Sequence, residues 1–505
     1  MAGDSGRDGL QQPSTTNPLA SAATETDALL PQHDNKDAPP YRGRWFLVKL
    51  VLGMAGVQVA FSVQFSTGVS YFRSLGISQT VSTLVWFIPP ACGAFVQPLF
   101  GRWSDARRTR LPFVFFGGLA TVLSLLGYAW TPNLAGLISG RDKPMNDPAV
   151  VKASQALVIF FFIALNISVQ PVQSGLRALI VDEVNETQQV EANAWSSRVN
   201  HVAAIIAYLA AASSMTEKVL LGPTHLQALV NLSVVVVVLS VGVTSYTVKV
   251  AGKRSVIVEN EEPSQGMFAT WKLMSPRLRR IYFAQFFSWF AWYPVLVQIT
   301  SFIDSLGCSS ASAASDNVDN SNCTPSGATA LFNQSVVAFI MSLILPALIY
   351  KISTSSSKSG PSFERERSKS ELRSLQTLWA VAQILFAVFL STSFFQSRLL
   401  IIIAIGLNGL CWCVSAWVPF VFANEEVIQI EEKRKGAALE PRSGVLIGAH
   451  NTFIASPQIL TTAFSSLLFL ILDVAGISDP VGNILWLFGL AVISALVSAL
   501  LVWRL

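Results

Sequence analysis

The 505-residue chain is 51% apolar and only 13% charged, with a formal charge of +5 and a mean hydropathy of +0.49. A water-soluble domain covers its surface with about 25% charged residues, so these figures exclude an ordinary soluble protein and make lipid the expected solvent. The small positive excess is dispersed among loops, which excludes a nucleic-acid surface and leaves charge to set orientation.

Residues 1–44 are rich in Ser, Thr, Ala and Asp, lack an apolar core and read as a disordered cytosolic tail. The first long apolar run begins near Trp45, so no cleavable signal peptide is expected. Glu25 with Leu29 and Leu30 forms an acidic dileucine pattern like those that route proteins to the endosome or vacuole, although such patterns also arise by chance in flexible tails.

A helix needs about twenty residues, each rising roughly 1.5 Å, to cross the hydrocarbon with its backbone paired internally. That ruler places spans near 45–67, 81–101, 112–130, 154–178, 199–215, 226–247, 281–301, 330–350, 377–395, 399–422, 444–471 and 482–503. The fourth is interrupted by Asn166, Gln170, Gln173 and Arg177, and the fifth opens with Arg198, Asn200 and His201. Such groups are costly in lipid and are expected to face a bundle interior or a watery cavity.

Loop charge sets the topology. Arg102 to Arg110 holds four arginines against Asp105, Lys249 to Arg280 holds seven basic and three acidic residues, and Lys351 to Arg373 holds six and three. Asp304 to Asp319 has three acids and no base. The positive-inside rule therefore puts both termini in the cytosol. The central loop at 250–280 divides the chain into six-span bundles at 45–249 and 281–505. The expected fold is an all-α membrane protein with twelve transmembrane helices in two pseudo-symmetric six-helix halves, the scheme by which carriers alternate access.

Candidate functional residues follow in chain order. Gly101 to Asp105, with Arg107, Arg108 and Arg110, suits a tight reversal and a carboxylate that meets free amides or an arginine. Asp105, Arg107 and Arg108 are accordingly assigned to gating, beside a plain topological role for the arginines. In the fourth span, Gln170, Gln173 and Arg177 step by three and four onto one helical face, with Asp182 slightly off it. Amides and a guanidinium on one stripe offer directional hydrogen bonds to the hydroxyls of a sugar or polyol. The structural alternative is a clamp in which Arg177 pairs with a carboxylate elsewhere.

His201 stands at a helix entrance, where an interfacial role is the ordinary one. The seventh span offers Gln285, Trp289, Trp292, Tyr293 and Gln298; Trp289 and Trp292 are the substrate candidates, since rings cover the CH face of a sugar. An interfacial aromatic belt is the alternative. In the eleventh, Asn451 and Gln458 share a face around Pro457, which opens or kinks the helix.

Of the five cysteines, Cys411 and Cys413 lie in an apolar run and read as buried small hydrophobes, whereas Cys308 and Cys323 share a polar loop and are candidates for a disulfide. No Walker sequence, GxSxG elbow or metal-spaced His/Cys cluster is present. No enzymatic activity and no cofactor are expected, and the energy for transport must come from a gradient.

Five blocks of the chain resemble the sucrose and alpha-glucoside carriers of the major facilitator superfamily, within the glycoside, pentoside and hexuronide cation symporters, most closely the fungal members. They are Gly56-Val57-Gln58 through Leu75-Gly76-Ile77; Pro89-Pro90 through Val96-Gln97-Pro98 and Gly101 to Asp105; Arg177 through Asp182 with Ala192-Asn193-Ala194; Gln285-Phe286-Phe287 through Trp289 and Trp292; and Gly444 through Gly448 with His450-Asn451 and Ser456-Pro457-Gln458. The resemblance implies the major facilitator fold and makes Arg177 central to sugar binding. It associates an aspartate eleven residues earlier with proton coupling, but that position here is Asn166, which cannot ionise. A histidine after the Leu-Gly-Ile segment is replaced by Gln79, a span-seven aspartate by Ile299, and the arginine-rich loop after Asp105 is shortened. Asp182 becomes the provisional carboxylate for Arg177 or the proton.

The expected function is symport of sucrose or a related alpha-glucoside with protons, in the plasma membrane or alternatively the vacuolar membrane. An uncoupled facilitator, a vacuolar exporter and a membrane sugar sensor are the alternatives, the last disfavoured by the short central loop. Partners are the sugar, protons and the lipid bilayer, with no nucleic acid.

Overall fold

The computed structural model describes residues 41–505 apart from 108, 141–143, 145, 185–187, 214–222, 253–270, 273, 315–325, 356–362, 437–442 and 478. The dileucine pattern, Cys323, Arg108 and most of the central loop lie outside the described residues, as do the side chains of Asp105 and Cys308.

Among the described residues, twelve long helices build the bundle. The first half holds α1 (Arg44–Ser74), α2 (Gln79–Ser104), α3 (Leu111–Ala129), α4 (Pro148–Glu183), α5 (Gln189–Ala212) and α6 (His225–Ala251). The second holds α7 (Pro276–Ala314), α8 (Gly327–Ser355), α9 (Phe363–Ser391), α10 (Arg398–Ile430), α11 (Ser443–Val474) and α12 (Pro480–Trp503). Eleven are long and apolar enough to cross a membrane. The other, α5, has 24 residues, about 36 Å of helix, and its polar opening at Glu191, Asn193, Arg198, Asn200 and His201 keeps it out of that set. It starts ten residues before the expected boundary; Asn200 and His201 face the interior cavity, where polarity costs little, and Glu191 pairs with the exposed Arg44.

Local chemistry sets the helix ends. Asp147 accepts from the Ala149 amide at 2.8 Å ahead of Pro148 and so starts α4. Thr224 caps α6 through the Gln227 amide and Asp479 caps α12 through the Val481 amide. Asp304 reaches from α7 to the amides of Ser326 and Gly327, both at 2.8 Å, and caps α8 from outside. The turn between α1 and α2 closes on Gly76 at φ +76°, a conformation that suits glycine. α8 and α10 meet at Gly409, where an added Cβ would stand 2.2 Å from the Gln334 carbonyl oxygen.

Each half has its own apolar core, one around Leu50, Val114, Leu165 and Val237, the other around Ile281, Phe302, Trp379 and Phe488. α5 and α8 form a seam between the halves: Ala204 and Tyr208 join the second core, and Ala328 joins the first. Large apolar side chains such as Phe115, Phe116, Leu119 and Leu123 on α3, or Val235, Val238 and Leu239 on α6, are exposed on the outside. A contiguous apolar coat of that kind needs lipid around it.

The halves repeat one fixture. The fourth helix of each ends in an acid pair whose second member binds an arginine at the start of that half's first helix: Glu183 with Arg42 at 3.1 Å, and Glu426 with Arg277 at 3.4 Å. Ser275 adds a hydrogen bond to Glu426 at 2.7 Å. Interior prolines interrupt α4, α7, α10 and α11 at Pro171, Pro294, Pro419 and Pro457. α2 is the most broken, with Pro89 and Pro90 followed by a π-helical turn at Cys92–Val96. These interruptions surround the centre of the bundle, where freed backbone groups can meet water or neighbouring helices.

Candidate functional site

A cavity of about 900 Å³ lies between the halves. Its wall comes from α1, α2, α4 and α5 of the first half and α7, α8, α10 and α11 of the second, whereas α3, α6, α9 and α12 contribute nothing to it. The volume falls within the range of small-molecule sites, roughly 300–1,000 Å³. One wall is polar: Gln58 of α1, Gln170, Gln173 and Arg177 of α4, and Asn200 and His201 of α5. The other mixes Trp289 and Tyr293 of α7, Gln334 and Ser335 of α8, Trp412 of α10, and Asn451 and Gln458 of α11.

The stripe read from the sequence sits on the cavity. Gln170 is almost wholly buried, anchored by its amide to the Asn166 carbonyl at 2.9 Å, and its Oε1 has no partner. Arg177 is exposed to the cavity and makes no ion pair or hydrogen bond to any described residue. Trp289 and Trp412 meet edge to face at 6.0 Å and present an aromatic corner from the second half. Arg177, the unpaired guanidinium, is a donor fork available to a ligand.

Other sequence candidates lie elsewhere. Trp292 is 2% exposed, donates to Ser415 Oγ at 3.3 Å and packs against Trp412 at 5.1 Å, so it stands behind the wall. Asn166 is fully buried and donates to Gln64 of α1 at 2.9 Å, outside the lining. Asp182 meets Arg110 at 3.1 Å, not Arg177, and Arg110 also reaches Ser104 at 2.6 Å. Asp105 follows α2 in a helical turn that runs to Ala106, and Arg107 is exposed in the turn after it. The Asp182 and Arg110 side chains retain only 14% and 9% of their exposure, so Asp182→Asn is expected to lower stability on the order of 2–3 kcal/mol by taking the opposite charge from a guanidinium that is nine-tenths enclosed. The midpoint of thermal unfolding in detergent checks this.

Gln58, Gln334 and Trp412 line the cavity without having been singled out as substrate contacts. A lone amide in an apolar run, as at Gln58 and Gln334, is a sequence signal for an inward-facing position. Trp412 between Cys411 and Cys413 carries none, because an aromatic is equally at home in lipid. Cys411 and Cys413 are free and buried.

One end of the cavity is sealed. Four hydrogen bonds join the halves there: Ser466 Oγ to the Thr80 carbonyl at 2.8 Å, Gln298 Nε2 to Thr83 Oγ1 at 3.1 Å, Thr300 Oγ1 to the Phe65 carbonyl at 3.3 Å, and the Tyr293 hydroxyl to the Trp86 carbonyl. Phe65 stacks on Trp86 at 5.2 Å, and only a void of about 10 Å³ remains among Thr83, Gln298, Thr461 and Ser465. All four bonds lie toward Ser74 and Val474. The cavity lining extends toward the opposite end, near Asp182 and Glu426, through Gln97, Pro98, Arg177 and Ser197, and the cavity opens that way.

No protein-family model matches the chain. It is 26% identical to the general alpha-glucoside permease of Schizosaccharomyces pombe over 92% of this chain and 94% of that one. A sucrose transport protein of Arabidopsis thaliana is 29% identical over 35% of this chain and 31% of its own length. Among solved structures, a D-xylose–proton symporter superposes with a TM-score of 0.60 at 12% identity, covering 92% of this chain and 98% of that one. The inward-facing form of a bacterial ferroportin homologue gives 0.59 at 13% identity, covering 92% and 99%. Architecture and full-length sequence similarity agree: the chain is a multi-pass helical membrane protein with the major facilitator fold, similar in sequence to alpha-glucoside and sucrose transporters.

Proposed function

We propose that this protein is a secondary carrier, not an enzyme, that moves sucrose or a related alpha-glucoside across the plasma membrane by alternating access, coupled to protons. The observation that carries the reading is the central cavity shared by both halves, with the Arg177 stripe opposite the Trp289 and Trp412 corner. Hydroxyls of the sugar meet the guanidinium and the amides of Gln58, Gln173, Asn200 and Asn451, while the rings cover its CH faces. The names of the alpha-glucoside and sucrose relatives support this substrate class.

With both termini in the cytosol by the positive-inside rule, the open end faces inward. Sugar entry from outside then requires the four-bond seal to part as the halves rock about the α5 and α8 seam. Asp182 and Arg110, Arg42 and Glu183, and Arg277 and Glu426 stand at the inner mouth, where Asp105, Arg107 and Arg108 also lie in the sequence. We assign that cluster to gating.

One observation favours a second reading, uncoupled facilitated diffusion: no carboxylate lines the cavity among the described residues. Sealed vesicles with an imposed pH gradient separate the two. Symport is expected to accumulate sucrose above its external concentration, and collapsing the gradient is expected to abolish the excess. Equal internal and external sugar under both conditions would reject coupling and leave the facilitator.

A further inference from the structure

The charges around the open cavity do not balance. Among the described residues, Arg177 is the one lining residue with a permanent charge, and the other titratable lining groups are His201, Tyr208 and Tyr293. The described carboxylates at the open end, Asp182, Glu183, Glu425 and Glu426, already hold cations. Asp182 stands five residues beyond Arg177, about 7.5 Å along the helix axis, and is bound to Arg110 at 3.1 Å. Glu183 is bound to Arg42 at 3.1 Å, and Arg277 serves both Glu426 at 3.4 Å and Glu425 at 4.0 Å. Asn166, one wall deeper, is a neutral amide tied to Gln64. Among the described residues the cavity lining is therefore left with a net charge of one, on a guanidinium that none of them pairs.

A guanidinium enclosed by low-dielectric walls and open to water attracts a counter-ion far more strongly than one on a flat surface. Its planar fork also offers several N–H donors to one small acceptor. We infer that the sugar-free, open cavity holds a small monovalent anion on Arg177, and that sugar must displace this anion to bind. The displacement clause rests on the proposed sugar site, whereas the anion site stands on Arg177 alone. The functional consequence is competition: apparent sugar affinity falls as the anion concentration rises, and sugar enters as the anion leaves. This differs from ordinary ionic screening, which would weaken interactions equally with any salt.

Chloride is the probe. The line width of its chlorine-35 magnetic resonance is measured with the purified full-length protein in detergent at pH 8. Excess broadening is expected with the wild-type protein, is expected to persist in Arg177→Lys, which keeps the charge, and to vanish in Arg177→Gln. Adding sucrose is expected to remove it, and replacing chloride at constant ionic strength by methanesulfonate, a bulkier anion without hydroxyls that is expected to bind the fork more weakly, is expected to lower the apparent sucrose dissociation constant severalfold as read by tryptophan fluorescence. Broadening that survives in Arg177→Gln would overturn the anion site. Sucrose that quenches the tryptophans yet leaves the chloride signal unchanged would overturn the competition. If sucrose changes neither signal while chloride still depends on Arg177, the sugar reading fails and the anion site remains.

Discussion

Arg177→Gln is expected to reduce sugar uptake at least about a hundredfold, since a guanidinium meeting two hydroxyls contributes on the order of 3 kcal/mol. It is also expected to leave the thermal midpoint unchanged or slightly raised. The second half of that expectation follows from geometry: Arg177 has no partner to lose among the described residues and is exposed to the cavity, so removing its charge strands none of them. A structural clamp would behave in the opposite way, with an orphaned carboxylate and a fall in stability. Asp182→Asn supplies the contrast, because its partner Arg110 is nine-tenths enclosed. Uptake and unfolding measured on the same two variants therefore separate a ligand-binding arginine from a structural one. Normal uptake by correctly inserted Arg177→Gln would remove the residue from the site.

Joining the sealed end covalently is expected to stop transport almost completely. Ser466 and Thr80 lie across the boundary between halves, linked by a 2.8 Å hydrogen bond from the serine hydroxyl to the threonine carbonyl. Thr80→Cys with Ser466→Cys, in a background lacking Cys92, Cys308, Cys323, Cys411 and Cys413, is expected to form a disulfide on oxidation, because a bridge requires α-carbons only about 4.4–6.8 Å apart. Uptake is expected to fall to the level of protein-free vesicles and to return on reduction. The physical reason is that sugar can reach the cavity from that side only if the two helices separate. Undiminished uptake by the cross-linked form would mean that this end never opens.

The apolar runs made most of this architecture legible in the sequence, since twenty apolar residues have few alternatives to a spanning helix. α5 shows the limit. Its first half carries Glu191, Arg198 and His201, and a ruler based on apolar content starts the helix too late when the polar face is buried in a bundle. The stripe of Gln170, Gln173 and Arg177 was readable because helical periodicity puts all three on one face, and the price of polarity in lipid says which way that face points.

What lay beyond reach were contacts set by tertiary packing. Trp289 and Trp292 look equivalent in the sequence, yet Trp412, more than a hundred residues later, covers one and accompanies the other on the cavity wall. The partner of Asp182 is Arg110, 72 positions away, and no local pattern distinguishes it from Arg177, five positions away. The repeated fixture of Glu183 with Arg42 and Glu426 with Arg277 was readable in principle, because each fourth helix ends in an acid pair. Recognising it requires knowing that the two halves superpose.

Side-selective labelling of Ser197→Cys in the same cysteine-free background tests alternating access most directly, since Ser197 is an exposed residue of the cavity wall. A membrane-impermeant thiol reagent is expected to reach it from the Asp182 side without sugar, and from the opposite side as well while a sugar gradient drives turnover. Labelling from one side alone under both conditions, with uptake intact, would contradict the account.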